Sequence, residues 1–449
     1  MNEKKAKGFG SRGWVLIVWI ATGFLAYTAI GNYPLNVLSD LYGGQQVLST
    51  LYTAASVIGV VVQLVASGFI GKLKSIKRLG AVFGILTILS LVGIMFVPGM
   101  VPGVPQKIWQ AIYAFGTVIS MMYGTFALSI LVGQWFPTRK GSVMGIATFA
   151  FPIGQGMLGA FAAAAFAGGR PHVAQAFVPY LIIFAVGWIL GVALVPDYPE
   201  EAGAFRDNDV NMTPEMARAI MEEEIENKKT TVWKLNHSLT TRDFWFITIP
   251  AGFLLMFSVG TMTQTNAILS QMGDGLNRFG GFAGVMVLVM ICGLAGSFSL
   301  GLVDNKFGTK RAMLLACVIM LIAGILGAVS SPEKPGLLVG SMVCLALFMG
   351  ASSNFTVSLA AQYWRREDFS TVFAAVNPIA NLITAAGPML IAILMIGFGY
   401  HMIFKVIAAA GIIAIVLMLL FSPGHIKEKD DRYREMAGKP LDDVLAHRK

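Results

Sequence analysis

The chain has 449 residues, 56% of them hydrophobic and only 13% charged, with a mean hydropathy of +0.70 and a formal net charge of +9. That composition lies far outside a soluble globular domain and excludes a disordered chain. The positive balance invites a nucleic-acid partner, a reading that the placement of the basic residues removes.

In chain order, twelve stretches approach or exceed the ~20 apolar residues of a spanning helix: 14–33, 47–70, 79–97, 108–136, 143–166, 177–195, 244–269, 279–303, 312–329, 337–363, 372–398 and 403–421. Eleven contain no Asp, Glu, Lys, Arg or His, and the twelfth contains only Lys405. The expectation is an all-α polytopic membrane protein of twelve transmembrane helices. Its parts are a six-helix bundle over 1–196, a linker over 197–243, a second six-helix bundle over 244–421 and a tail over 422–449.

With the N-terminus in the cytoplasm, all but five of the 33 Lys and Arg fall on the tail and loops of that side; the five are Lys107, Arg170, Arg278, Lys334 and Lys405. This is the positive-inside pattern, so both termini are expected to be cytoplasmic and the charge sets orientation instead of binding a polynucleotide. Lys4, Lys5 and Lys7 precede an apolar run that could open a signal peptide, but eleven further spans follow and the first is read as retained. Cys292, Cys317 and Cys344 lie inside spans and are read as small packing residues.

The two halves read as copies. Asn36 and Gly43 match Asn266 and Gly273; Lys77 and Arg78 match Lys310 and Arg311. The stretch Gln134, Trp135, Phe136 with Arg139, Ser142 and Val143 matches Gln362, Tyr363, Trp364 with Arg366, Thr371 and Val372. Phe151, Pro152, Ile153 and Gly154 pair with Asn377, Pro378, Ile379 and Ala380. Parallel repeats of six spans are the sequence mark of a transporter that rocks two bundles about a central site.

These features resemble the major facilitator superfamily over about residues 14–421. In that family the loops after helices 2 and 8 carry a glycine, an acid, then a glycine and a basic pair. The second copy here reads Gly301, Asp304, Gly308, Lys310, Arg311; the first has Lys72 where the family usually has Asp. The turn from Gln134 to Gly145 resembles the oxalate/formate and monocarboxylate carrier branches, which usually place basic residues in helices 8 and 11, where this chain has none.

The resemblance implies a cavity lined by helices 1, 4, 7 and 10, and the sequence leaves it uncharged. A charge at mid-membrane costs at least ~2.5–3.5 kcal/mol and marks function where it occurs; here only polar and aromatic groups are available. The expected substrate-binding set is Tyr27, Asn32, Tyr113, Tyr123, Gln264, Asn354, Asn377 and Asn381, each of which interhelical bonding would also satisfy. Asn36, Thr117, Asn266 and Ser353 lie in the same four helices. Lys405, one turn from His401, is read as snorkelling to the interface.

Arg139, Lys140, Asp304, Arg311, Arg366 and Asp368 form an expected cytoplasmic gate, and Pro152 and Pro378 an expected hinge pair. In the linker, Thr213 before Pro214 signals a helix start, and the charged tail from Ser422 reads as loosely ordered. There is no Gly-x-x-x-x-Gly-Lys-Ser/Thr loop, and the five histidines are scattered, so neither ATP-driven transport nor a catalytic or metal centre is expected.

The resulting expectation is a monomeric, cofactor-free secondary transporter in the inner, cytoplasmic membrane, with a small-molecule substrate, the bilayer as its other partner and no nucleic acid. It is not an enzyme. The substrate is an organic carboxylate recognised by hydroxyls and amides, or a neutral amphipathic solute; a non-transporting sensor is the remaining alternative.

Overall fold

The computed structural model describes residues 8–67, 75–136, 139–167, 173–209, 213, 215–216, 219 and 231–439, with the side chains of Ser67, Lys140, Gly141, Val173, Arg366, Glu367, Ser370 and Ala374 outside the described set. Twelve helices are long and apolar enough to cross a membrane. They are α1 (Gly10–Leu41), α2 (Gln45–Ala66), α3 (Ile76–Phe96), α4 (Val104–Trp135), α5 (Ser142–Ala167), α6 (Ala174–Leu194), α7 (Arg242–Met262), α8 (Gly281–Phe307), α9 (Thr309–Ala328), α10 (Pro335–Tyr363), α11 (Thr371–Phe398) and α12 (Tyr400–Leu420). Helices satisfy every backbone group internally, which is what lipid demands.

Burial sorts these spans. About two thirds or more of the most apolar window of α1, α4 and α7 is buried, and 61% of that of α10, against 56% or less for every other span. The others turn large apolar side chains outward, such as Ile58, Val61 and Val65 on α2 and Ile412, Val416 and Leu419 on α12, as a lipid-facing stripe requires.

The chain forms two compact units. The first is Met1–Arg218 with Met262–Met290, and the second is Ala219–Thr261 with Ile291–Lys449. The unit boundaries fall between 218 and 219, at the end of α7 and within α8. In the first unit α1 and α4 cross where Gly23 faces Gly124; a Cβ on Gly124 would lie 2.8 Å from the Gly23 carbonyl carbon. In the second unit α9 and α12 meet as closely, a Cβ on Gly324 falling 2.4 Å from the Ala408 nitrogen. Such small-residue crossings let backbones pack without side chains between them.

Five spans are irregular among the described residues. α1 ends in a π-helical turn, Pro34–Leu38, and α4 contains another, Met122–Ala127. The helix expected over 244–269 is broken: it ends at Met262 and resumes as Thr265–Leu269. Pro378 sits inside a continuous helix, Arg366–Ala385, while the interruption of the eleventh span falls at Ala386, before Gly387–Phe398. Pro152 lies near the start of the segment Ala150–Ala167, just after a turn at Thr148 and Phe149.

The tail differs from its expectation. Pro423–Met436 is a helix, here α13, with Ile426, Asp430 and Arg434 buried. Its start is fixed by Asp243 of α7, which accepts the Ser422 N–H at 2.8 Å and lies against the His425 imidazole. The segment reads as a solvated tail because its buried face is charged instead of apolar. In the linker, Thr213 Oγ1 accepts the Met216 N–H at 3.3 Å, as the helix-start signal predicts; most of 210–230 and the first copy of the glycine/basic loop motif at Lys72 lie outside the described residues.

Candidate functional site

Within the first unit the polar residues of α1, α2 and α4 form a hydroxyl-rich layer. The Tyr27 and Tyr52 hydroxyls are hydrogen-bonded at 3.0 Å, with the Ser56 hydroxyl beside them. Tyr113 donates to the Gly31 carbonyl at 2.8 Å, and the Tyr123 hydroxyl accepts the Trp19 indole N–H at 2.6 Å. Tyr113 and Tyr123 are thereby engaged in bonds between α1 and α4, whereas Tyr27 is half-buried and bonds to another hydroxyl that can donate or accept. Asn32 is buried, and its backbone carbonyl accepts from Asn36 at 3.0 Å.

Gln264 is fully buried in the break after α7. It donates to Ser49 Oγ at 2.9 Å and accepts from Gln45 Nε2. Its amide is thus engaged with the first turns of α2, at the same end of the unit as Asn36.

In the second unit Asn354 on α10 and Asn377 and Asn381 on α11 are half-buried. Asn377 Oδ1 accepts from Thr356 Oγ1 at a long 3.5 Å. The i, i+4 spacing keeps both amides on one face of α11, and α10 and α11 pack together in this unit.

Of the expected gate residues, Arg139 and Asp304 are held by local partners. Arg139 donates its backbone N–H to Asp207 Oδ1 at 3.1 Å and its guanidinium to the Gly8 carbonyl at 2.8 Å, with the guanidinium 4.6 Å from the Phe9 ring centroid. Asp304 accepts from Thr309 Oγ1 at 2.5 Å, and the Thr309 N–H donates to Gln362 Oε1 at 2.9 Å. Arg311 is exposed. The side chains of Lys140 and Arg366 lie outside the described residues.

Asp368 belongs to a buried charge cluster that the sequence reading missed. Its Oδ1 accepts from Thr231 Oγ1 at 2.6 Å and from the Val232 N–H at 2.9 Å. Asp430 of α13 accepts from Arg365 at 2.7 Å, from Arg434 at 3.1 Å and from the Trp233 indole at 3.0 Å. Burial pushes the Asp430 carboxyl above the usual carboxylate range, and the nearby Asp368 charge acts the same way; the bonds from Arg365 and Trp233 pull it back. The i, i+4 spacing of Asp430 and Arg434 was the only sequence signal for it. In the first unit Asp197 has an analogous capping role, accepting the Lys77 N–H at 2.7 Å at the start of α3.

Among the described residues no group of three His, Cys, Asp or Glu is placed to hold a metal ion. Twelve apolar spans, close small-residue crossings and polar groups buried between helices define a polytopic helical membrane protein. The chain belongs to the Major Facilitator Superfamily, whose family model matches residues 15–332 and 281–448. A triacylglyceride transporter of Mycobacteroides abscessus is 25% identical over 175 residues, covering 39% of this chain and 34% of that protein; the match thus spans about a third of the relative's length. The solved proton:xylose symporter XylE, bound to 6-bromo-6-deoxy-D-glucose, superposes with a TM-score of 0.65 at 14% identity, covering 91% of this chain and 95% of the other. The nucleoside transporter NupG, as its D323A mutant, gives 0.59 at 12% identity, covering 91% and 99%. At these identities the two structures share a fold with this chain.

Proposed function

We propose that the protein is a secondary transporter that moves a small organic solute across the cytoplasmic membrane by alternating access, as a monomer with both termini in the cytoplasm. The observation that carries the substrate reading is the chemistry of the twelve apolar stretches between 14 and 421: no carboxylate or imidazole, Lys405 as their one cation, and half-buried Tyr27, Asn354, Asn377 and Asn381. Hydroxyls and amides both donate and accept, so they suit a solute that does the same, a neutral hydroxylated or amide-bearing molecule with an apolar body.

A carboxylate is the second reading, favoured by the Gln134 to Gly145 turn. Bound without a cation, it would need several hydroxyl and amide donors, since an ionised group leaving water without partners is strongly penalised. A neutral solute avoids that cost. The named substrates of the three similar proteins, a triacylglyceride, xylose and a nucleoside, are also without a carboxylate.

Arg139, Lys140, Asp304, Arg311, Arg366 and Asp368 remain the proposed cytoplasmic gate, with Pro152 and Pro378 as proposed flexing points. Uptake into proteoliposomes of a panel of labelled neutral metabolites and organic acids tests the reading, with the Tyr27→Phe and Asn354→Ala variants run in parallel. The expected result is saturable uptake of a neutral solute with a raised KM in both variants. Uptake of carboxylates alone, accelerated by an internal carboxylate pool, would replace the neutral reading with the second one. Unchanged kinetics in both variants would remove Tyr27 and Asn354 from the site.

A further inference from the structure

The break after α7 contains no glycine or proline; its residues are Thr263 and Gln264. In an uninterrupted helix the Asn266 N–H would bond to the Met262 carbonyl, four residues back. Instead the Asn36 carboxamide lies between them. Its Nδ2 donates to the Met262 carbonyl at 2.9 Å, and its Oδ1 accepts the Asn266 N–H at 3.0 Å. Asn266 returns the contact, its Nδ2 donating to the Asn36 carbonyl at 2.8 Å. The two asparagines occupy matched positions of the sequence repeat, and Asn36 rides on the π-helical turn Pro34–Leu38.

We propose that Asn36 is a reversible splice in α7, and that its insertion and withdrawal close and open this end of the carrier. Inserted, the carboxamide stands in for a peptide group, joining α1 to α7 and holding the break open. Withdrawn, it releases the Asn266 N–H and one acceptor position on the Met262 carbonyl, which also accepts from Thr265 Oγ1 at 3.0 Å; these two are the natural partners of each other, so α7 can run on into Thr265–Leu269. Both arrangements pair the two backbone groups, which matters inside a membrane, where an orphaned group costs several kcal/mol. An element with two satisfied arrangements is what a two-state switch needs. Asparagine fits because it offers a donor and an acceptor on one planar group. Gln45, Ser49 and Gln264 add a second set of bonds across the same end.

The splice rests on the alternating-access reading, and its test is independent of any substrate. In full-length protein with Cys292, Cys317 and Cys344 replaced by alanine, Thr53→Cys reports access to α2 one turn beyond Ser49. Labelling by an impermeant maleimide is followed in proteoliposomes from the side where α1 ends. Asn36→Ala removes two of the three bonds, those of its carboxamide, and Asn266→Ala only one, because the Asn266 N–H and the Asn36 carbonyl are backbone. The expected acceleration is about tenfold for Asn36→Ala and about threefold or less for Asn266→Ala, from modest interhelical bonds summed over the site. Asn36→Asp keeps the volume while losing the donation to Met262 and should also accelerate labelling, so a folding failure of the alanine variant leaves the test intact. Unchanged rates in both Asn36 variants, or equal effects of Asn36→Ala and Asn266→Ala, would overturn the splice. Accelerated labelling in a protein that takes up no solute would support the splice and remove the transport reading.

Discussion

Polar side chains in this protein divide by what already satisfies them, and that division separates packing from binding. Tyr123 holds the Trp19 indole at 2.6 Å in the buried contact of α1 with α4. Removing its oxygen leaves a buried donor without an acceptor. Tyr123→Phe is therefore expected to lower stability by an amount between ~0.6 kcal/mol, the average interhelical bond, and ~3 kcal/mol, an orphaned buried donor, with substrate KM unchanged. Thermal unfolding in detergent, read beside uptake, checks this; a raised KM with unchanged stability would place Tyr123 on the substrate instead. At Asp430 the concern is charge. Three donors, from Trp233, Arg365 and Arg434, converge on its carboxylate, so Asp430→Ala is expected to cost ~3–5 kcal/mol, as breaking a buried pair does. The folded carboxyl sits above its unfolded value of about 3.9. Folding thus takes up a proton between those two values, and this group's contribution falls as pH rises through the folded one. The stability gap between wild type and Asp430→Ala should narrow over that window, measured by unfolding at a series of pH values; a gap that widens would reverse the assignment.

Packing at the scale of helices depends on glycine, and the same residue type can matter greatly or not at all. Gly324 of α9 lies against the Ala408 backbone of α12, where an added Cβ would fall 2.4 Å from the Ala408 nitrogen, whereas a Cβ on Gly301 of α8 meets nothing within 4 Å. Gly324→Ala should cost ~1–3 kcal/mol by overpacking, while Gly301→Ala should be neutral or slightly stabilising through its better helix propensity. Unfolding midpoints of the two variants decide it, and equal effects would contradict the close α9 to α12 contact. The spans themselves were legible in the sequence because lipid selects for length and apolarity, and every expected span has a counterpart. The break at Thr263 and Gln264 was not legible, because its cause is a side chain 230 positions from Asn266, that of Asn36, with no local helix breaker. The helix Pro423–Met436 was hidden for a different reason: its buried face is built from Asp430 and Arg434, which periodicity of apolar residues does not detect. Likewise, the sequence named the polar candidates in the spans, but could not tell Tyr123, bonded to an indole, from Tyr27, bonded to a second hydroxyl.

Orientation belongs to the whole molecule, since twelve spans place both termini on one side whichever way the chain inserts. The asymmetry that chooses the side is the distribution of Lys and Arg, and it is strongest in short loops, where such charge resists translocation. Lys72, Lys74, Lys77 and Arg78 lie between α2 and the first turn of α3, and Lys306, Lys310 and Arg311 around the junction of α8 and α9. The turns at the other end are nearly free of basic residues. With α13 attached directly to the end of α12 and anchored on Asp243 at the start of α7, the tail helix must share the side of these basic loops. Single cysteines at two exposed sites therefore report the arrangement: Val101, between α3 and α4, and Met436, at the end of α13. In intact cells of a cysteine-free background, Val101→Cys should react with an impermeant maleimide and Met436→Cys should react only after permeabilisation. The reverse pattern would invert the topology and put the Asn36 splice at the cytoplasmic mouth. Labelling of both from one side would break the even count of spans on which the two-repeat architecture depends.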